Sequence, residues 1–173
     1  GEMFLAQGLA NGQANDLTGS LIDSDKPIGM TNGNLCTNVP PSVAACDHIF
    51  EVAQPTQTWG NRALVIDFPH TPNGVVYRIM AAEDNTTLLQ NGSTIATLNR
   101  GEFHETGLLP GANEFSSDKP IYVDQYMPGV NANGTLGDPA MGNVITPDQY
   151  QEAYTFSTVG GNQFAQHGVN VIA

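Results

Sequence analysis

The chain has 173 residues, enough for one or two small domains with a modest core. It sets 17 acidic residues against five basic ones, and a net charge of −12 excludes the Lys/Arg footprint that nucleic acid or an anionic membrane surface requires. Cations, basic proteins and uncharged glycans remain as partners, and since no apolar run approaches the roughly 20 residues that span a bilayer, no membrane insertion is expected.

Residues 1–31 offer short β-like pieces, Met3-Phe4-Leu5-Ala6 and Gly19-Ser20-Leu21-Ile22, broken by Asn11-Gly12 and Asn15-Asp16. None holds a 3.6-residue apolar period long enough for a helix. Gly1-Glu2 is no signal-peptide start, so the sequence reads as mature or excised. Ser24-Asp25 turns the chain, and Lys26-Pro27 forces an extended residue before a strand expected over Ile28-Gly29-Met30-Thr31. Residues 32–60 read as a long irregular excursion, of the kind used for binding or stapled because it would otherwise move. They carry Cys36 and Cys46 around Pro40-Pro41, then Cys46-Asp47-His48, Pro55 and Trp59-Gly60. Two cysteines at short range read first as a disulfide, with buried free thiols or a reactive thiol beside His48 as alternatives. Neither C-x-x-C nor a four-ligand Cys/His set is present, so a structural zinc is not expected.

Apolar strand candidates follow at 63–68 and 75–82, the second running into the turn cluster Glu83-Asp84-Asn85. Two β-forming stretches, 86–90 and 93–98, flank Asn91-Gly92, which predicts a hairpin because both turn residues must take positive φ. Asn99-Arg100-Gly101 turns again before Glu102-Phe103-His104-Glu105. Residues 119–126 read as a strand with Ile121, Val123 and Gln125 on one face and Tyr122, Asp124 and Tyr126 on the other. A second excursion, 127–150, holds Asn131-Ala132-Asn133-Gly134, Gly137-Asp138-Pro139 and one helical turn after Thr146, with Pro147 at its first position. A strand over 153–158 closes the series.

The order repeats. Ser24-Asp25-Lys26-Pro27-Ile28 returns as Ser117-Asp118-Lys119-Pro120-Ile121, and the two phrases, 93 positions apart, hold the only lysines. Cys46-Asp47-His48-Ile49-Phe50 answers to Gly137-Asp138-Pro139-Ala140-Met141, Trp59 to Tyr150, Ala63 to Ala153, and Gly74-Val75-Val76 to Gly168-Val169-Asn170. This spacing predicts a module of about 93 residues: 1–73 is the back half of one copy with the cysteine loop, 74–167 a complete second module, and 168–173 the first strand of a third, as if cut from a tandem array. The expected fold is all-β, internally duplicated β-sandwich-like modules with long loops, with a propeller-like repeat as the alternative.

Enzyme templates are absent: the chain has no G-x-S-x-G, no HExxH and no P-loop. The neighbours Asp47-His48 and His104-Glu105 would point to opposite faces of a strand, so no enzymatic activity is expected. Asp47 and Asp138 share a repeat position, each either pinning its loop by accepting backbone N–H groups or touching a ligand. Trp59, with Tyr150 as its counterpart, anchors its loop or offers a stacking platform. The candidate ligand residues are therefore Asp47, His48, Trp59, Asp138 and Tyr150. Asn131, Asn133 and Asp138, or the acids Asp16, Asp23 and Asp25, could supply oxygen ligands to Ca²⁺, although no EF-hand spacing is met and turn capping accounts for the same residues; no other cofactor is expected. Sequons at Asn85, Asn91 and Asn133 are glycosylation sites in a eukaryotic setting.

Several of these pieces together resemble the amino-terminal domain of the IgG-Fc-binding protein family, found in secreted mucin-associated proteins and in large bacterial surface proteins. They are Asp16-Leu17-Thr18-Gly19 leading to the first Ser-Asp-Lys-Pro-Ile, Cys46-Asp47-His48, Trp59-Gly60, Tyr77-Arg78-Ile79 with Glu83-Asp84-Asn85-Thr86-Thr87, the second Ser-Asp-Lys-Pro-Ile, Gly137-Asp138-Pro139-Ala140-Met141 and Gln149-Tyr150. The resemblance implies an extracellular, non-enzymatic binding or adhesion module of a larger protein, with Cys36 and Cys46 bridged. It carries no residue motif for IgG binding onto this chain, and Gly137-Asp138-Pro139-Ala140 is not the Gly-Asp-Pro-His autocleavage motif, so no self-cleavage is expected. The ligand is then a protein or a glycan. A structural repeat that contacts neighbouring copies of itself in a stalk or filament is the first alternative, and an accessory domain of a secreted hydrolase the second.

Overall fold

The structure is a computed structural model that describes residues 2–8, 15–134, 137–160 and 167–173. The expected Asn11-Gly12 turn, Thr135 of the third sequon and residues 161–166 of the expected second module lie outside the described residues.

Among the described residues nine strands form: β1 Thr31–Thr37, β2 Asp47–Val52, β3 Gly60–Val65, β4 Val76–Ala81, β5 Thr86–Gln90, β6 Ser93–Leu98, β7 Phe103–Glu105, β8 Asn113–Met127 and β9 Ala140–Val144. Among the described residues the helical elements with given bounds are one turn, α1 Val130–Asn133, and the 3-10 turns Thr56–Thr58 and Pro147–Gln149. The fold is all-β.

Seven strands share one sheet, organised by β8. This strand is 15 residues long, and different partners pair with its two halves. The first half, through residues such as Phe115 and Ser116, pairs with β3 and β5, and β6 continues outward from β5. The second half, 121–127, pairs with β4 and β9, and β7 continues outward from β4. The change of partners falls at Lys119-Pro120, where the β3 register also slips between Gly60↔Ile121 and Arg62↔Ser116. Proline has no N–H to give a ladder, so a strand interior tolerates it where the ladder is already interrupted. The Pro120 carbonyl still accepts from Ala82 N–H (3.0 Å).

The sheet curls so that both halves close on one core of Ala63, Val65, Val75, Tyr77, Ile79, Ala81, Leu88, Leu98, Phe115, Ile121 and Val123. Tyr77 from one half meets Phe115 from the other edge-on, with ring centroids 5.5 Å apart. Each such ring, fully buried, contributes about 1.5–3 kcal/mol. The expected faces of β8 hold, with Ile121 and Val123 in the core. The Asn91-Gly92 hairpin holds too, its residues at φ 49° and 81°. No ring of repeated blades is present among the described residues, which leaves the propeller alternative without support.

The two excursions are more regular than expected. Residues 32–60 contain the β1–β2 hairpin, a sheet of its own, and 127–150 contains β9. Their strand sequences, Thr-Asn-Gly-Asn and Ala-Met-Gly-Asn, lack β-branched alternation, and pairing decides their state instead of propensity. The reverse correction falls at the ends: 3–6, 19–22 and 153–158, all read as strands, form none, and of the strand expected at 28–31 only Thr31 lies in one, as the first residue of β1. They have β-forming sequences but no neighbour to pair with, and side chains such as Met3, Leu21, Ile28, Tyr154 and Phe156 stand exposed.

The hairpins β1–β2 and β8–β9 have one register. β1–β2 pairs Thr31↔Val52, Asn32↔Glu51, Gly33↔Phe50 and Asn34↔Ile49. Moving the first partner 93 positions and the second 91 gives Asp124↔Asn143, Gln125↔Gly142, Tyr126↔Met141 and Met127↔Ala140, all four of them observed pairs. Each hairpin is followed by a 3-10 turn that ends in an aromatic residue, Trp59 or Tyr150, in extended conformation. Within the repeated phrase, Ser24 Oγ donates to the Lys26 carbonyl (2.6 Å) and Ser117 Oγ to the Lys119 carbonyl (2.5 Å).

Candidate ligand surface

The excursions 32–60 and 127–150 lie side by side and are bonded along their length. Gly129 N–H donates to the Val39 carbonyl (2.9 Å), Asn143 Nδ2 to the Val52 carbonyl, and Gln149 Nε2 to the Thr58 carbonyl (2.5 Å). At Gly60 an added Cβ would fall 2.8 Å from that of Thr146, so the two segments touch where the excursions end. Cys36 and Cys46 are bridged, which decides among the alternatives left open by their spacing. The bridge closes a loop whose buried Val39 seats it against Pro128-Gly129.

This support fixes β2 with Ile49 buried and His48, Phe50 and Val52 turned outward, since alternate strand residues face opposite ways. The His48 and Phe50 rings stack, centroids 6.1 Å apart and planes 16° from parallel. Phe50 is 56% exposed and Leu35, on the neighbouring strand, 77%. The result is an apolar and aromatic stripe rimmed by Asp47, whose carboxylate accepts the N–H of its own neighbour His48 (2.9 Å).

The other expected contact residues fare differently. Trp59 is half-buried, stacked on Tyr122 at 5.1 Å, with its indole N–H donating to the Gln54 carbonyl (3.2 Å); it anchors the excursion. Tyr150 is likewise half-buried, and burial raises its hydroxyl pKa. Asp138 is exposed, beyond the β2 stripe in sequence and on the other excursion. For the calcium set, Asn131 is exposed while Asn133 is 6% exposed on the same helical turn, its Oδ1 accepting Asn73 N–H (2.9 Å). These two side chains therefore point to different sides of α1, and Asn133 is a strut between the excursion and the turn that leads into β4. Its burial also removes it as a sequon acceptor, whereas Asn85 and Asn91 sit on exposed turns. Asn91 already bonds across to β8: its Nδ2 donates to Asn113 Oδ1 and its Oδ1 accepts from Glu114 N–H (both 2.9 Å). His104 and Glu105 alternate along β7, with Glu105 turned to Arg78 and His104 opposite the core residue Ile79.

Sequence reasoning missed the most elaborate polar cluster. Across β7, β4, β8 and β9 the cross-strand partners Glu105, Arg78, Asp124 and Asn143 form one row on the outer face of the sheet. Arg78 donates to Glu105 (2.6 Å) and to Asp16 (2.8 Å), and its guanidinium lies 4.6 Å from the Phe103 ring centroid. Through Asp16, Thr18 and the close backbone contact of Gly19 with Gly101, the amino-terminal segment is held to this face. Burial alone would raise the Asp16 carboxyl, but bonds from Thr18 and the charge of Arg78 outweigh it and hold its pKa below the usual value. Asp124 differs: burial pushes it up to about 7, against the opposing hydroxyls of Tyr122 and Tyr126 and the charge of Arg78. Its Oδ1 is buried without a hydrogen-bond partner. An arginine inside an apolar strand, in a chain with five basic residues, was the available signal, because a cation there requires carboxylates from elsewhere. Among the described residues no group of three or more His, Cys, Asp or Glu side chains is placed to hold a metal, and no helix is long and apolar enough to cross a membrane.

A bridged, loop-bearing β module with an outward aromatic stripe fits the family that the sequence suggests, and residues 1–173 match the sequence model described as IgGFc binding protein over their full extent. The chain belongs to the IgGFc binding protein family. The family is of extracellular binding type and is not an enzyme family, in keeping with the Cys36–Cys46 bridge. No curated protein and no solved structure matches the chain.

Proposed function

We propose that this family member is a non-enzymatic adhesion or binding module of a larger secreted or surface protein, and that it takes a protein or glycan ligand on the surface built by excursions 32–60 and 127–150. The observation that carries this reading is the His48-Phe50-Val52 stripe. It is an exposed aromatic surface on a hairpin whose Ile49 is buried behind it and whose Val52 carbonyl accepts from Asn143 Nδ2 of β9, and rigid support beneath exposed aromatic side chains is what an interface hot spot needs. The family's printed name makes the Fc region of IgG the first protein ligand to try, with glycans beside it. An array of immunoglobulins and glycans tests this: a hit on the wild-type chain should fall at least tenfold in affinity with Phe50→Ser and with His48→Ala, the far-ultraviolet circular dichroism unchanged. Binding indifferent to both substitutions and to deletion of 37–46 would contradict it.

A second reading, a structural repeat unit, is supported by the shared hairpin register. On that reading the repeating unit runs from β3 through the 3-10 turn at Pro147–Gln149, and residues 2–59 are the back half of a preceding unit. The boundary on that reading lies at the start of β3 in place of residue 74, a choice supported by the pairing of β3 with β8. Asn85 and Asn91 remain the glycosylation candidates in a eukaryotic setting.

A further inference from the structure

The face of the β1–β2 hairpin opposite the aromatic stripe lies against the second half of the curled sheet, with β2 packed on β9. Buried Ile49 and Glu51 are on that inner face, and Asn32 joins them as the cross-strand partner of Glu51. Asn143 of β9 ties hairpin to sheet: its Oδ1 accepts from the Tyr122 hydroxyl while its Nδ2 donates to the Val52 carbonyl. The cross-strand partner of Asn143 is Asp124, only 7% exposed, so a buried carboxyl sits beside the joint that holds the hairpin down.

Among the described residues, the buried side-chain oxygens without a hydrogen-bond partner all belong to this region. They are Asn32 Oδ1 on the hairpin, Asp124 Oδ1 on the sheet, and Thr146 Oγ1 beside Gly60, where the two excursions end. An ionised carboxylate and an amide oxygen both only accept, so neither can satisfy the other. A proton on Asp124 removes a buried charge and supplies a donor where none exists. Burial and the Glu51 carboxylate favour that form and push the carboxyl up to about 7, against Tyr122 and Tyr126 of its own strand and Arg78 of β4. Arg78 is itself engaged by Asp16 of the amino-terminal segment and Glu105 of β7, while β1 and β9 carry no charged side chain and Asp47 and His48 lie at the other end of β2.

Loss of the proton leaves a buried carboxylate facing Glu51, and lifting the hairpin lets water solvate it. We propose that the β1–β2 hairpin is held to the sheet by the protonated form of Asp124 and loosened when that proton leaves. The closed form binds the proton more tightly than the open one. The hold is therefore complete below the ordinary carboxyl value of about 3.9 and is lost as pH rises through about 7. The His48-Phe50-Val52 stripe rides on this hairpin, so its ligand is bound best in mildly acidic surroundings, a consequence that rests on the ligand-surface reading.

Amide exchange of the ligand-free chain at pH 5 and pH 8, each rate divided by the intrinsic rate at that pH, tests the proposal. Protection of 47–52 should fall about tenfold or more over this range, while that of 86–98 in the β5–β6 hairpin changes by less than about threefold. Asp124→Asn keeps the shape with no proton to lose and should abolish the fall, and His48→Ala should leave it in place. A fall shared by 86–98, one that persists in Asp124→Asn, one that vanishes in His48→Ala, or no fall at all overturns the proposal. Should Asp124→Asn not fold, carboxyl-carbon NMR of the wild-type chain decides: the Asp124 resonance should titrate in step with the exchange, and titration at the ordinary aspartate value overturns the proposal. A ligand found on the array should lose affinity between pH 5 and pH 8 by a factor that Asp124→Asn reduces about tenfold, and an equal loss in both chains contradicts the coupling to the stripe. Because exchange is read without ligand, an array without hits sinks the ligand reading and leaves the proton response of the hairpin standing, and the reverse holds.

Discussion

Ser24-Asp25-Lys26-Pro27-Ile28 and Ser117-Asp118-Lys119-Pro120-Ile121 are the same five residues in two situations. The second lies within β8, with Thr87 N–H donating to Asp118 (2.7 Å) and Ile121 in the core. The first makes the same internal serine bond yet forms no strand, and its isoleucine stands in water. What the five residues make in both settings is the serine-to-carbonyl bond. Whether the phrase is part of a sheet depends on neighbours supplied by residues far away in sequence, since a strand's backbone groups are satisfied only across a ladder.

The largest effect should come from truncating matched side chains in the two settings. Phe115→Ala should cost about 3–5 kcal/mol in denaturant unfolding, while Ile22→Ala at the equivalent exposed position should cost under about 0.5 kcal/mol. Equal costs would erase the distinction. Next, Arg78→Met tests whether the amino-terminal segment is fastened to the sheet by charge. It leaves the carboxylates of Asp16, Glu105 and Asp124 without their cation and should cost about 2–4 kcal/mol, with faster proteolysis of residues before β1. A stability change without that proteolysis would detach the segment from the account.

Asp124 gives a smaller, pH-dependent effect. Its folded pKa of about 7 lies above the unfolded value near 3.9, so between these limits the folded state binds more protons and stability falls as pH rises. The groups facing it are Arg78, Tyr122, Tyr126 and Glu51. Asp124→Asn should flatten this fall and raise stability at pH 8 by about 1–3 kcal/mol, with little change at pH 4. Asp16, held low, acts with the opposite sign: its contribution is present at neutral pH and lost in acid. The smallest effect separates the two serines, with Ser117→Ala costing about 1 kcal/mol and Ser24→Ala close to nothing by thermal unfolding.

Much of the central sheet was legible in the sequence for local reasons. Strands β4 to β6 and the second half of the central strand announced themselves by apolar runs, alternation and Asn91-Gly92, and the turn after Thr146 by its proline, while β7 and the first half of β8, 113–118, were not read as strands. β1, β2 and β9 were not legible, because their Asn- and Gly-containing sequences are strands only through pairing with each other or with β8. The error at 19–22 and 153–158 has the same cause with the sign reversed: good strand sequences with no partner. Of the site, the bridge could be read, whereas the strand position of His48 and the outward stripe at Phe50 required knowing that 47–52 is a strand. The Arg78 row needed cross-strand register, which joins four strands and the distant Asp16.

Hydrogen–deuterium exchange at low concentration compares the two phrases most directly. The account predicts that amides of 113–127 exchange only on global unfolding, that the β1–β2 amides show intermediate protection, and that amides of 20–28 exchange within the fastest phase. Protection of 20–28 equal to that of 113–121 in the monomer would contradict it.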